Sequence, residues 1–318
     1  MKRILMTGEG YTEEQVRRIR ALGFDITHEI EISPDRFHSL LPSIDAHILG
    51  GSELLDAKAI TRADRLRVVS FVGTGYGTFV DVEAARKRNI LIVNTPEVMA
   101  QAVAEHTIGF LIGLVRGLFE QNEAVKRLEF SRRTPTVELA GMTVGLLGMG
   151  AIGTRIARIL TTVFGCTVLY NSRTRKTALE GELGIDFVDV EKLFAASQAI
   201  VVAIPLTHET TNIIDASLLN KARPGLMLVN TASAKLVSPE ALKQALESGH
   251  VAAAAFDGYW IEPLPEPGAD PFGLLSFPDS QFVVTPHSAS KTTTVWSRMI
   301  AMAVDNVIKA FTESGEKI

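Results

Sequence analysis

The chain reads as an α/β protein made of two doubly wound parallel-sheet domains. Three observations lead there. Short apolar runs alternate with longer amphipathic ones from end to end, the pattern of β–α units that cover a parallel sheet on both faces. The alternation runs for about the first hundred residues, gives way to one extended helical stretch, and then starts again. Finally, 318 residues are long for a single core and comfortable for two.

Taken in order, "RILMTG", "FDITHEI", "AHILGG", "RVVSFVG" and "ILIVNT" read as strands, separated by helical stretches such as "TEEQVRRIRALG" and "VDVEAARKR". "PEVMAQAVAEHTIGFLIGLVRGLFEQNEAVKR" follows as one long helix. A second strand series comprises "MTVGLLG", "CTVLYN", "IDFVD", "AIVVAIP", "LMLVN", "VAAAAFD" and "QFVVTP". The closing stretch "TTTVWSRMIAMAVDNVIKAFTESG" is helical again, and the proline-rich "IEPLPEPGADPFG" runs irregularly over a surface or along a cleft.

Composition excludes several classes of partner. A net charge of −4 offers no footprint for nucleic acid or for an anionic membrane. The longest apolar run, "HTIGFLIGLVRGLF", is cut by Arg116 and falls short of a membrane span. Met1-Lys2-Arg3 leads straight into "ILMTGEG" with no signal-peptide segment, so the expected compartment is the cytoplasm. The single cysteine, Cys166, lies in an apolar strand and is expected to be a buried, inert thiol. No metal-ligand set is assigned.

The first chemical motif is "GLLGMGAIGTRIARIL". Gly148, Gly150 and Gly153 hold the G-x-G-x-x-G spacing between an apolar strand and an amphipathic helix. In that position the glycines serve a tight turn, close approach of a pyrophosphate, and close helix–strand packing. The helix start supplies free N–H groups for the phosphates. About 20 residues on, NAD-binding proteins carry a carboxylate for the ribose hydroxyls. Here the strand ends "VLYNSRTRK": Asn171 is neutral, and Ser172, Arg173, Thr174 and Arg175 follow. Arginines among hydroxyls suit a 2′-phosphate, so NADP is expected, with NAD possible.

These motifs, with "GTGYGTFVDVEAARKRNILIVNTPEVMAQAVAEHTIGFLIGL", "VVAIPLTHETTNII" and "FVVTPHSAS", resemble the D-isomer-specific 2-hydroxyacid dehydrogenases over nearly the whole chain. "YNSRTRK" is similar to the glyoxylate-reductase branch in particular. The resemblance implies a flavodoxin-like substrate domain from residues 1–99 and 288–318, and a Rossmann cofactor domain from 100–287. It implies hydride transfer with the carbonyl of a small 2-oxoacid or related compound, and a homodimer joined through the long helix. On matching positions, His287 supplies the proton, Glu262 favours its imidazolium form, and the Asp257 carboxylate faces the nicotinamide. Gly148, Gly150, Ala151, Ile152, Gly153, Asn171, Ser172, Arg173, Thr174, Pro205 and Thr231 complete the cofactor set. The loop Val72, Gly73, Thr74, Gly75 offers backbone N–H groups to the substrate. Histidines 28, 38, 47, 106, 208 and 250 fall in no such constellation and are assigned to structure or surface.

One position departs from the resemblance. Where the family's strand ends "NTARG", this chain has "NTASAK", with Ser233 in the place of the arginine that binds the substrate carboxylate. Loss of such a charge-assisted bond costs about 1.5–3 kcal/mol. Lys235 or Lys291 could substitute as a point charge without bidentate geometry. Alternatively, the substrate is a carbonyl without a carboxylate there, or the protein is a non-catalytic NAD(P)-binding sensor or scaffold. The retained His287 and Glu262 weigh against the last reading.

Overall fold

The computed structural model describes residues 1–130, 136–264, 266 and 268–313. It divides into two compact units, residues 1–99 with 291–318, and residues 100–290.

The first unit contains β1 (Lys2–Thr7), β2 (Phe24–Glu29), β3 (Ala46–Leu49), β4 (Val68–Phe71) and β5 (Leu91–Val93). All pair in parallel, in the order β2-β1-β3-β4-β5. Its connections carry α1 (Glu13–Ala21), α2 (Pro34–Leu40), α3 (Ala57–Arg62) and α4 (Val82–Lys87). The helix starts are readable in the sequence: Thr12 and Gln15 form a reciprocal capping box, and Ser33, Asp56 and Asp81 each accept a bond from a first-turn N–H. Strands β1, β3 and β4 are buried almost throughout, which is why they read as mainly apolar runs without alternation, with His47 and Ser70 the buried polar positions in β3 and β4.

The second unit opens with α5 (Ala100–Val115) and α6 (Leu118–Lys126). This corrects the expectation of one long helix: the two are bent by 62°. The break is at Gly117, which sits in the left-handed region at φ +57, a conformation glycine adopts without steric cost. The turn lets Phe119 fold back over Gly113, where a Cβ would collide with its ring. The apolar character of α5 is accounted for within its own unit, since ten of its residues are buried. Among the described residues no single helix is long and apolar enough to cross a membrane.

The sheet of this unit comprises β6 (Thr143–Leu147), β7 (Thr167–Asn171), β8 (Asp186–Phe187), β9 (Ala199–Val202), β10 (Leu226–Asn230), β11 (Val251–Asp257) and β12 (Phe282–Thr285). The order is β12-β11-β10-β9-β6-β7-β8, parallel at every pairing. Helices α7 (Ala151–Thr162), α8 (Thr177–Leu183), α9 (Val190–Ala196), α10 (Ala216–Asn220) and α11 (Pro239–Glu247) cover it. Chain order reverses between β6 and β9, and the crevice at the carboxyl edge beside such a switch is where ligands bind in open α/β sheets. Burial pushes the Cys166 thiol up, and its Sγ donates to the Leu139 carbonyl at 3.1 Å. The chain then returns to the first unit as α12 (Thr293–Glu313), tied there by Trp296 Nε1 to the Glu9 carbonyl at 2.9 Å and by Phe311 against Phe24.

Candidate functional site

The carboxyl ends of β6, β7, β9, β10, β11 and β12 carry nearly all the second-unit residues singled out in the sequence. The glycine turn after β6 shows why three glycines are needed. Gly148 has φ +114, and a Cβ there would strike the Ala203 carbonyl beyond the end of β9. A Cβ on Gly153 would strike the Gly148 carbonyl. Gly150 faces open space, with nothing within 4 Å of its notional Cβ. No side chain caps the start of α7, where Gly150 is the cap residue and Thr154 makes the first backbone bond back to it at 2.9 Å. The N–H groups of Ala151, Ile152 and Gly153 are therefore presented at the helix start. An anionic pyrophosphate fits this cradle in shape and in charge.

At the end of β7 the basic turn is more ordered than the sequence suggests. Asn171 Nδ2 donates to the Val188 carbonyl at 2.7 Å, and Ser172 Oγ to the Thr174 carbonyl at 2.8 Å. Arg175 is engaged elsewhere: its guanidinium grips Glu180 at 2.8 and 2.9 Å and lies over the Phe187 ring. Tyr170 donates to the same carboxylate at 2.6 Å and accepts the Lys176 N–H at 2.6 Å. The Arg175 hydrogen bonds, followed by that of Tyr170, hold the Glu180 carboxyl below its usual range. Arg173 alone of the pair has no bonded partner among the described residues, and it lies within electrostatic reach of Glu209. The expected arginine pair is thus one available guanidinium and one structural clamp.

Pro205 accepts a bond from Thr210 Oγ1 at 2.8 Å, which shapes the loop after β9. Thr107 Oγ1 donates to the Val103 carbonyl at 2.7 Å. Its contact with Thr231 Oγ1 at 2.8 Å therefore has Thr231 as the donor. Ser233 is extended and partly buried; its carbonyl accepts Asn230 Nδ2 at 2.7 Å. Its hydroxyl is unbonded among the described residues. Lys235 is exposed on the short turn that follows, and among the described residues it makes no hydrogen bond or ion pair to His287 or Glu262.

The acid–base pair is assembled after β11 and β12. His287 Nδ1 lies 3.0 Å from Glu262 Oε2, and Glu262 Oε1 accepts the Tyr259 N–H at 3.1 Å. An ionised carboxylate only accepts, so Nδ1 carries a hydrogen and Nε2 is the ring nitrogen left for other chemistry. Gly258, at φ +103, makes room: a Cβ there would come within 2.6 Å of Glu262 and 3.5 Å of the imidazole. His287 itself has φ +52, an uncommon conformation for a residue with a side chain. Asp257 explains how it is held. Its carboxylate is buried and accepts Thr285 Oγ1 at 2.5 Å, the Ser288 N–H at 2.8 Å and the Ala289 N–H at 2.8 Å. These three bonds tie the carboxylate to the histidine loop.

In the first unit, the loop after β4 is also partly committed. The Val72 N–H bonds the Leu49 carbonyl at 2.9 Å, and the Gly73 N–H bonds Thr95 Oγ1 at 2.9 Å. Among the described residues the N–H groups of Thr74 and Gly75 have no such partner, and both residues are exposed. Lys291 is exposed and makes no ion pair there. The same unit buries His47 beside Glu53 at 3.0 Å, a pair that no motif or spacing singles out. Among the described residues no group of histidine, cysteine or acidic side chains could hold a metal ion.

Comparison with known proteins places these features. Residues 108–289 match the family model for the D-isomer specific 2-hydroxyacid dehydrogenase NAD binding domain. A glyoxylate reductase of Aeropyrum pernix is 36% identical over 265 residues, covering 81% of this chain and 77% of its own. A glyoxylate reductase of Pyrococcus furiosus is 33% identical, over 88% and 83% of the two chains. Among solved structures, a glyoxylate reductase from Paecilomyes thermophila superposes with a TM-score of 0.87 at 27% identity, covering 100% of this chain and 97% of its own. An NADPH-dependent glyoxylate/hydroxypyruvate reductase from Sinorhizobium meliloti, in complex with NADP and malonate, has a TM-score of 0.81 at 28% identity, over 100% and 95%.

Proposed function

Because the chain belongs to the D-isomer-specific 2-hydroxyacid dehydrogenase family, and is an NAD(P)-dependent oxidoreductase acting on CH–OH/C=O, we propose that it is an NADPH-dependent reductase of a small 2-oxoacid or related carbonyl compound. The observation that carries this reading is the His287–Glu262 pair, with Nδ1 held on the carboxylate at 3.0 Å and Nε2 free. In the reducing direction His287 gives its Nε2 proton to the carbonyl oxygen as negative charge develops there. Glu262 fixes the orientation and tautomer of the ring through Nδ1. Asp257 keeps the loop in place. Bound, the nicotinamide cofactor supplies the hydride.

The cradle of Gly148, Gly150, Ala151, Ile152 and Gly153 would hold the pyrophosphate, with Pro205 and Thr231 along the rim. A neutral Asn171 and a free Arg173 beside Ser172 and Thr174 support the phosphorylated cofactor, since a carboxylate there would repel a 2′-phosphate. Thr74 and Gly75 offer the loop N–H groups assigned to substrate. Ser233 supports a substrate group that takes one neutral hydrogen bond, with Lys235 or Lys291 as the substitute cation if a carboxylate is present. For assembly, the support comes from the segment beyond α6: Leu128 is 91% exposed and Phe130 72%, apolar area that a two-fold partner would cover. Light scattering that gives a monomer at micromolar concentration would remove the dimer.

The experiment is a panel of carbonyls, with and without an α-carboxylate, each assayed with NADPH and NADH. Turnover with NADPH is expected. A protein that binds NADPH tightly and reduces none of them is the sensor, not the reductase.

A further inference from the structure

The hydrogens of one partly buried chain of hydrogen bonds can be assigned from the distances and the donor inventory. Thr285 ends β12 directly opposite Asp257 at the end of β11. Its hydroxyl has a single hydrogen, and Oγ1 lies 2.5 Å from Asp257 Oδ1. A carboxylate cannot donate, so that hydrogen goes to Asp257. The Thr285 oxygen then has only lone pairs for its second neighbour, His106 Nε2 at 3.3 Å. His106 must therefore donate, which fixes its Nε2–H form. Its ring is set on α5 by an edge contact with Phe110 at 4.5 Å between centroids.

At the other end of the chain, the two N–H groups that Asp257 accepts belong to Ser288 and Ala289, the residues directly after His287. Those bonds hold the loop at the positive φ that aims the imidazole at Glu262. A half-buried histidine on α5, 181 residues before His287 in the sequence, is thus linked by three successive hydrogen bonds to the backbone N–H groups of the two residues that follow His287. Among the described residues the ring of His106 makes no hydrogen bond or ring contact with Glu262 or His287, and its bonded route to the histidine loop runs through Thr285 and Asp257.

We infer that His106 and Thr285 are positioning residues for the proton donor, setting the direction of the Asp257 bonds that orient His287. This rests on the reading of His287 as that donor. Charge-assisted bonds of this sort are strong and directional. Without the hydroxyl, Asp257 loses one of three donors while the other two must hold a strained loop unaided.

The test uses the full chain with histidine labelled with nitrogen-15, and glyoxylate with NADPH as the assay pair. His106→Leu and Thr285→Val should displace the His287 ring-nitrogen signals and lower kcat about 10-fold or more, with KM nearly constant. NADPH affinity should stay within about twofold, which also reports that the fold is intact. His106→Gln and Thr285→Ser, which keep a donor and a hydroxyl, should restore most of both readouts. Unmoved His287 signals in both deletion variants overturn the inference, and they do so whether or not glyoxylate is turned over. His287→Ala separates the two readings: full turnover in that variant defeats the donor assignment itself, while the nuclear-resonance result still judges the positioning.

Discussion

Glu262 divides its carboxylate between His287 and the backbone: Oε2 meets the imidazole Nδ1 at 3.0 Å while Oε1 takes the Tyr259 N–H at 3.1 Å. The acid is therefore anchored before it orients the base. His287→Ala should lower kcat by about 10²- to 10⁴-fold and leave NADPH binding intact. Glu262→Gln replaces the carboxylate that holds Nδ1–H while keeping the side chain's shape, so kcat should fall about 10-fold or more with NADPH affinity unchanged. A kcat for Glu262→Gln equal to the wild type counts against the pairing.

The basic turn separates two arginines that look alike in sequence. Arg173→Ala should weaken NADPH by about 10- to 100-fold, the equivalent of a charged hydrogen bond, and change NADH little. Arg175→Ala releases the Glu180 clamp and should loosen both nucleotides by a similar, smaller factor. Titration of the two variants with both cofactors decides this. An equal loss of NADH in Arg173→Ala would take the 2′-phosphate away from that residue.

Ser233 marks the substrate. If a carboxylate anchor has been lost, Ser233→Arg should raise kcat/KM for glyoxylate about 10- to 100-fold. If the native carbonyl has no carboxylate there, the same change should impair it by leaving a charge unpaired. If a lysine has taken the role, Lys235→Met or Lys291→Met should raise KM for oxoacids. Strong wild-type turnover of simple 2-oxoacids, indifferent to both lysines, would remove the special reading of this position.

Asp270 couples the loop that carries Glu262 to pH. It accepts the Tyr259 hydroxyl at 2.6 Å and the N–H groups of Phe272 and Leu275 at 3.1 and 3.0 Å. Burial opposes its charge, but these bonds prevail and hold the carboxyl below the usual aspartate range. Burial, reinforced by that carboxylate, pushes the Tyr259 hydroxyl up. A carboxyl depressed on folding contributes stability above its unfolded value near 3.9, and that stability is lost as pH falls through the folded value. Thermal scans should therefore show Tm dropping below about pH 4. Asp270→Asn should cost about 2–4 °C at pH 7 and flatten that drop. An unchanged acid slope in the variant would place the dependence elsewhere.

What could be read from the sequence follows from how local each constraint is. The parallel sheets were legible because buried strands such as Ala199–Val202 are apolar without a break, and Val68–Phe71 is interrupted by Ser70 alone. The glycine motif was legible because Gly148 and Gly153 each answer to a backbone carbonyl that no side chain could accommodate. The division at Gly117 was not, since α5 and α6 are helical on both sides and only a backbone angle separates them. Arg175 looked like a ligand because its partner Glu180 lies across a turn, outside any helical spacing. Thr285 stood two residues from His287 and could have been suspected. His106, 179 residues from Thr285, left no trace in spacing, and only the packing of α5 against the sheet brings it there.

The glycine turn has a consequence for how this gene would tolerate variation. Gly148 and Gly153 are demanded by the folded chain itself, whereas Gly150 has an ordinary extended backbone and empty space beside it. Alanine at the outer two should deplete the protein from the cell, and alanine at the middle one should leave it abundant but silent. A saturation library sorted once on protein level and once on turnover would split the three-glycine signature into two residues kept by folding and one kept solely by the nucleotide.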